Sequence, residues 1–147
     1  MHILKIQKRL AEIERFLYKN PSPIREIDCF ETQAHLPVRD AMTHRGYKPC
    51  KIGHKWGRPW GSAWFRLRFA IPENLDGLPV TLRVQTGGEA VLYCQGIPSQ
   101  GLDRNRDDFL LCEKGKAGET HEILVEAGAN NAFGAFKHFS KLPHLAW

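Results

Sequence analysis

The sequence predicts a mainly β chain: an antiparallel β-sandwich led by an N-terminal amphipathic helix. Three observations carry this reading. Apolar residues recur at helical spacing only at the start of the chain, and alternation of period two takes over past residue 60. The alternating runs are short, and Gly, Pro and Asn/Asp turns separate them with no helical segment between. Strands so spaced each have one apolar face to bury and no crossover helix to cover a parallel sheet, so they pack as an antiparallel sandwich.

The helix comes first. Ile3, Ile6, Leu10, Ile13 and Leu17 recur three or four residues apart and Phe16 widens the stripe, while Lys5, Lys8, Arg9, Glu12 and Arg15 fill the other side. Pro21 and Pro23 stop it. Residues 1–20 are therefore expected to be a helix packed by this stripe on a sandwich of residues 24–147. The mixed signs of its polar side argue against an anionic membrane surface. Ile24 to Phe30 can run extended, and the His-, Pro- and Gly-rich stretch on to Lys55 reads as loop.

The strands follow in the run "WGRPWGSAWFRLRFAIP", residues 56 to 72, which holds three of the four tryptophans. Phe65, Leu67, Phe69 and Ile71 alternate with Trp64, Arg66, Arg68 and Ala70, which assigns the first set to a buried face and both arginines to the other. Pro72 ends the strand and "NLDG" makes the turn. Val80, Leu82 and Val84 alternate with Thr81, Arg83 and Gln85 in the next strand. Gly87 and Gly88 then suit a hairpin that needs positive backbone angles. Ala90 to Cys94 is a third strand. After a loop over Gln95 to Asp108, Phe109 to Cys112 and His121 to Ala127 are two more, divided by the turn "EKGKAGE".

Composition bounds the function. With 147 residues, 42% hydrophobic and 25% charged, the chain has the makeup of one globular domain. At that length roughly 68–70% of the unfolded chain's surface is buried on folding, so neither disulfide nor metal is required for stability. The net charge of +5 does not gather: the basic stretches Lys5 to Arg15 and His44 to Arg58 are interleaved with Glu or Gly, so no nucleic acid is expected as partner. The N-terminus lacks the apolar block of a secretory signal, and no run is long enough to span a bilayer. Cys29, Cys50, Cys94 and Cys112 stand singly, the usage of reduced cytoplasmic thiols.

Catalytic signatures are missing from the sequence. No Gly-x-Ser-x-Gly, Gly-x-x-x-x-Gly-Lys or Gly-x-Gly-x-x-Gly occurs. Asp107 and Asp108 are adjacent, so on an extended strand they face opposite ways and cannot act as an acid and nucleophile pair. His35, His44, Cys50 and His54 share one stretch, but their spacings match no common zinc finger, and no metal or other cofactor is expected in this chain. Trp56 and Trp60, in the Gly- and Pro-punctuated approach to a strand, have two readings: a plug or domain contact at the end of the sandwich, or a platform for stacking sugars.

The succession "PWGSAWFRLRFAIPENLDGLPVTLRV", "GGEAVLYCQGIPSQGLDRNRDDFLL" and "KAGETHEILVEAGANNAFG", preceded by the helix "IQKRLAEIERFLY", resembles the N-terminal region of cytosolic and bacterial alpha-mannosidases of glycoside hydrolase family 38. The resemblance runs from residue 3 to 134 in the family's order and spacing. One departure lies in "GLDRNRDDF", where family members often carry His at the position of Arg106. The resemblance implies a jelly-roll-like or galactose-binding type of sandwich, and a parent enzyme that releases terminal alpha-mannose with retention. It also implies that the zinc-type divalent metal and Asp nucleophile sit in a later α/β domain opening with His-x-Asp, a motif these residues do not contain. On that reading the chain is the noncatalytic N-terminal part of a several times longer enzyme, with the catalytic domain as its partner. Trp56, Trp60, Gln100, Asp103, Arg104, Asn105 and Arg106 are then candidates to face that domain or the sugar. The other reading is a stand-alone carbohydrate-binding module for mannose-containing glycans, and an uncovered face would allow a homo-oligomer.

Overall fold

The computed structural model describes residues 3–130, 137–138 and 143–146, and for 14–17 and 137–138 the backbone alone. In chain order its elements are α1 (Ile3–Leu17), β1 (Ser22–Pro23), β2 (Glu26–Thr32), α2 (Val38–Thr43), β3 (Lys48–Pro49), β4 (Lys55–Trp56), β5 (Ser62–Ala70), β6 (Val80–Arg83), β7 (Ala90–Cys94), β8 (Ile97–Leu102), β9 (Asp108–Cys112), β10 (Thr120–Gly128), β11 (Lys137–His138) and β12 (His144–Ala146). A six-stranded sheet in the order β3-β2-β5-β10-β7-β8 faces a four-stranded sheet in the order β1-β12-β6-β9, and β11 pairs with β4. The strand pairs are antiparallel, as the spacing of the strands predicts.

The core lies between the two sheets and follows the alternation. Ala63, Phe65 and Leu67 of β5, Leu92 of β7, and Ile123, Val125 and Ala127 of β10 meet Val80, Leu82 and Leu145 of the smaller sheet, all of them buried. Phe69, expected in the core, packs against its margin half-buried.

Four features depart from the sequence reading. The stretch after Phe30 is not all loop: α2 forms behind Pro37 and covers the outer face of the large sheet. That cover makes β5 apolar on both sides, for Trp64 is buried with Phe30, Ala41 and Leu124 in a second small cluster. Arg66 shares this face and is also covered: its guanidinium lies 3.8 Å from the centre of the Tyr47 ring and donates to the Met42 carbonyl at 2.8 Å.

The second departure is at Gly87 and Gly88, which do not close a hairpin. β6 and β7 belong to different sheets, so the segment between them crosses the end of the sandwich. The hairpin is the next one, β7 to β8, turned by Gln95 and Gly96 at φ values of 52° and 77°. Both angles are positive, as a two-residue hairpin turn of the primed type requires. The third departure follows, since residues 97–102, read as loop, are the edge strand β8.

The fourth concerns α1, which forms where predicted but leaves the first four residues of its stripe exposed. Ile3, Ile6, Leu10 and Ile13 are between 45% and 67% exposed; the side chains of Phe16 and Leu17, and Trp147, lie outside the described residues. The sheets bury their inner faces against each other and α2 takes a patch of the outer one, which leaves the sandwich core closed without α1. The attachment that does appear is at the helix exit, where the Tyr18 ring stacks under the Arg83 guanidinium at 4.2 Å.

Candidate functional site at one end of the sandwich

The strand registers bring most of the sequence-selected residues to one end. Thr32 pairs with Ser62, Ser62 with Gly128, and Ala90 with both Ala127 and Leu102, so the chain enters or leaves β2, β5, β7, β8 and β10 at the same level. The approach to β5 (residues 57–61), the crossover (84–89) and the turn after β8 (103–106) therefore share one rim. Between the crossover and the turn lies a cavity of about 380 Å³ whose lining includes Gln85, Thr86, Glu89, Asp103, Arg104 and Asn105.

Trp56 is the plug beneath this rim, not a surface group. It is fully buried, its indole N–H donates to the Thr86 carbonyl at 2.9 Å, and its ring meets Phe65 edge-on at 5.6 Å. Gly88 rests on it so closely that a Cβ there would lie 2.7 Å from the Gly128 carbonyl oxygen and 3.3 Å from the indole. Of the two readings for this residue, the plug is the one the fold realises, and neither sugar nor a docked domain can touch it. Trp60 differs sharply: it is 80% exposed at a φ of 64°. Its N–H donates to the Ala129 carbonyl at 3.3 Å, which ties this left-handed residue to the end of β10.

The turn after β8 is built by its own aspartate. Asp103 Oδ1 accepts from the N–H groups of Asn105 and Arg106 at 2.6 and 2.9 Å, and the Asp103 N–H donates to the Arg106 carbonyl at 2.9 Å. Arg104, Asn105 and Arg106 are presented to solvent, and Gln100 sits half-buried on β8. Asp107, next in the chain, turns inward. Its carboxylate takes both Arg83 Nη2 contacts, at 2.9 and 2.8 Å, and accepts from the Gln85 amide. It is the buried carboxylate of the described residues, and Arg83 and Gln85 engage both of its oxygens.

The histidines and cysteines sort differently from their spacing. His35 is exposed, and His44 stacks on Phe30 at 4.0 Å and accepts from the Gly46 N–H at 3.0 Å, a local structural use. Cys50 and His54 instead meet Cys29, a residue sequence reasoning set aside, because β3 pairs with β2 and lays the chain after Pro49 beside it. The Cys50 thiol hydrogen-bonded to the Cys29 sulfur holds the Cys29 thiol below its ordinary pKa and pushes Cys50 above its own. No helix among the described residues is long and apolar enough to cross a membrane.

Comparison with known proteins matches this architecture. Human alpha-mannosidase 2C1 is 29% identical over 125 residues, covering 82% of this chain and 12% of the human protein. Dictyostelium discoideum alpha-mannosidase G is 29% identical over 96 residues, covering 62% of this chain and 9% of its own length. Among solved structures, a calcium-binding mutant of Bacteroides uniformis beta-glucuronidase 2 shares the fold with a TM-score of 0.62 at 13% identity, over 86% of this chain and 18% of that one. The chain thus spans about an eighth or less of the length of these curated relatives. The family model described as "Alpha-mannosidase, jelly roll domain" matches residues 22–144, nearly the whole sandwich, and the chain belongs to that family.

Proposed function

We propose that the chain serves as the noncatalytic β domain of an alpha-mannosidase-type glycoside hydrolase, supporting a separate catalytic domain that carries out metal-dependent, retaining hydrolysis of terminal alpha-mannose. The observation that carries this is the match of residues 22–144 to an alpha-mannosidase jelly roll domain, beside a match to the human relative that covers only 12% of that protein. The chemistry at the rim supports it. Asp107 is buried and paired with Arg83 and Gln85, and Asp103 Oδ1 holds the N–H groups of its own turn, so both carboxylates have structural partners. The rim is the face offered to the catalytic domain, with Trp60 and the Arg104–Arg106 edge as its contacts, and the metal belongs to that domain. The four free cysteines suit the reducing cytoplasm.

Sugar binding by this domain alone is the weaker reading. The cavity lining mixes apolar and polar groups, Val84 and Leu102 with Gln85, Glu89 and Arg104 among them, and contains no aromatic ring on which a pyranose could stack. Mannose-containing glycans meet the domain only as substrate held by its catalytic partner, and an isolated chain pairs with a second copy through its exposed apolar groups, the aliphatic residues of α1 and Trp60 at the rim. The test is an assay of the purified chain with an aryl alpha-mannoside and added zinc, cobalt or manganese, together with calorimetric titration of mannose. No hydrolysis and no binding heat are expected. Turnover that survives a second purification step would overturn the noncatalytic assignment, and mannose binding at about millimolar affinity or tighter, lost in Trp60→Ser, would establish a carbohydrate-binding module instead.

A further inference from the structure

We infer that Cys29, Cys50 and His54 form a zinc-type metal site of two thiolates and one imidazole, with its fourth position open to solvent. Among the described residues these three offer ligand atoms that all lie within 4.8 Å of one another. Tetrahedral zinc, with Zn–S of about 2.3 Å and Zn–N of about 2.0–2.1 Å, sets its ligands about 3.6 Å apart for sulfur to nitrogen and about 3.8 Å for sulfur to sulfur. The Cys29 Sγ to His54 Nε2 separation is 3.5 Å, so the ion needs almost no movement of that pair.

The backbone holds the three donors independently of any metal. Cys29 lies on β2 opposite Phe65 of β5, on the inward face of the large sheet. The Cys50 N–H donates to the Ile27 carbonyl at 2.8 Å, which fixes its strand end beside β2. From there a tight turn brings His54 back: its N–H donates to the Lys51 carbonyl at 3.0 Å, and Gly53 takes the φ of 84° that the turn demands. The buried Trp56 anchors the chain two residues further on. Cys50 and His54 thus form a Cys-x-x-x-His chelate closed by a sulfur from a neighbouring strand.

Charge and access favour the ion. Zinc binding displaces two thiol protons, so a divalent cation with two thiolates and a neutral imidazole is uncharged overall and can lie at the margin of an apolar core. Both cysteines are buried at 6% exposure, and the half-buried His54 forms the side that opens to water. That gives an entry path and a fourth ligand, the arrangement of a three-ligand zinc centre with an open position. The donor set is soft, unlike the His-x-Asp pair that the resemblance places in a later domain.

The experiment uses the reduced, metal-free chain, titrated with cobalt(II) as the optical probe and then with zinc(II). The expected result is one cobalt per chain, with a sulfur-to-cobalt charge-transfer band and the strong visible absorption of four-coordinate cobalt, both lost on adding zinc. Cys29→Ser and Cys50→Ser should remove the charge-transfer band, while Cys94→Ser and Cys112→Ser keep it. Because buried cysteine variants can lose the fold, His54→Ala is the decisive one. It should weaken zinc binding by more than about tenfold, at least what loss of an outer-sphere partner costs, with an unchanged melting curve for the metal-free protein. A reduced chain without the band, a band that depends on Cys94 or Cys112, or unchanged zinc affinity in folded His54→Ala would each overturn the site. So would a chain whose Cys29 and Cys50 only oxidise to a disulfide and take no cobalt once reduced.

Discussion

Trp56 and Trp60 lie four residues apart in a run that treats them alike, and the fold gives them opposite fates. What separates them is long-range: Trp56 is enclosed by Thr86, Gly88 and Phe65, while the chain at Trp60 turns outward at a φ of 64°. A non-glycine residue held in the left-handed region costs on the order of 1–3 kcal/mol. Since Trp60 is exposed, little packing is lost when it is removed. Trp60→Gly is therefore expected to leave stability unchanged or to raise it by up to about 1 kcal/mol, the relief of strain being partly offset by the freedom glycine has in the unfolded chain. Trp56→Ala should cost about 3–5 kcal/mol, as large-to-small changes in a packed core do. Urea denaturation of the two variants would measure the difference, and equal losses would contradict the assigned burial. No local signal separates them in the sequence, since both sit in one Gly- and Pro-punctuated stretch and neither belongs to an alternating run.

The strands with clean alternation were legible residue by residue. Phe65 and Leu67 face the core and Val80 and Leu82 meet them, because a period of two with β-branched and aromatic residues leaves one assignment of faces. Elements with weak or divided patterns were not. β8 carries Pro98 and Gly101 and exposes most of its length, so it reads as loop, and its Gln-Gly turn lacks the favoured Asn-Gly or Asp-Gly pair. α2 has six residues and buries one, Ala41, too few for any periodicity. Its worth lies in what it covers, and the Tyr47 ring over Arg66 belongs to that cover. Burial pushes the Tyr47 hydroxyl up to about 12 from its ordinary value of 10.0. With the folded pKa above the unfolded one, this tyrosine's contribution to stability is whole below the unfolded value and is lost as the pH rises toward the folded one. Urea midpoints measured from neutral pH into this alkaline range should fall less steeply for Tyr47→Phe than for the parent chain. Parallel curves would mean that the hydroxyl ionises as freely in the fold as out of it.

At the scale of the whole molecule, the six- and four-stranded sheets exclude water from each other, and Ile3, Ile6, Leu10 and Ile13 of α1 are exposed. An amphipathic helix that leaves its apolar face uncovered holds little of its own stability in water, since most helical stability in proteins comes from packing that face. The sequence shows the stripe but not its destination: periodicity says that a face is apolar and is silent on what covers it. Arg83 and Tyr18 mark where the sandwich takes hold of the chain. Removing residues 1–17, with Tyr18 kept, should then leave the unfolding midpoint within about 0.5 kcal/mol of the full chain, the range of surface changes away from packed features. The same deletion should reduce self-association in sedimentation velocity, because the largest run of exposed aliphatic side chains goes with it. Trp60→Ser in the shortened chain should reduce it further if the rim is a second sticky face. A large loss of stability on deletion would show instead that the helix packs on the sandwich in solution, as the sequence pattern first suggests.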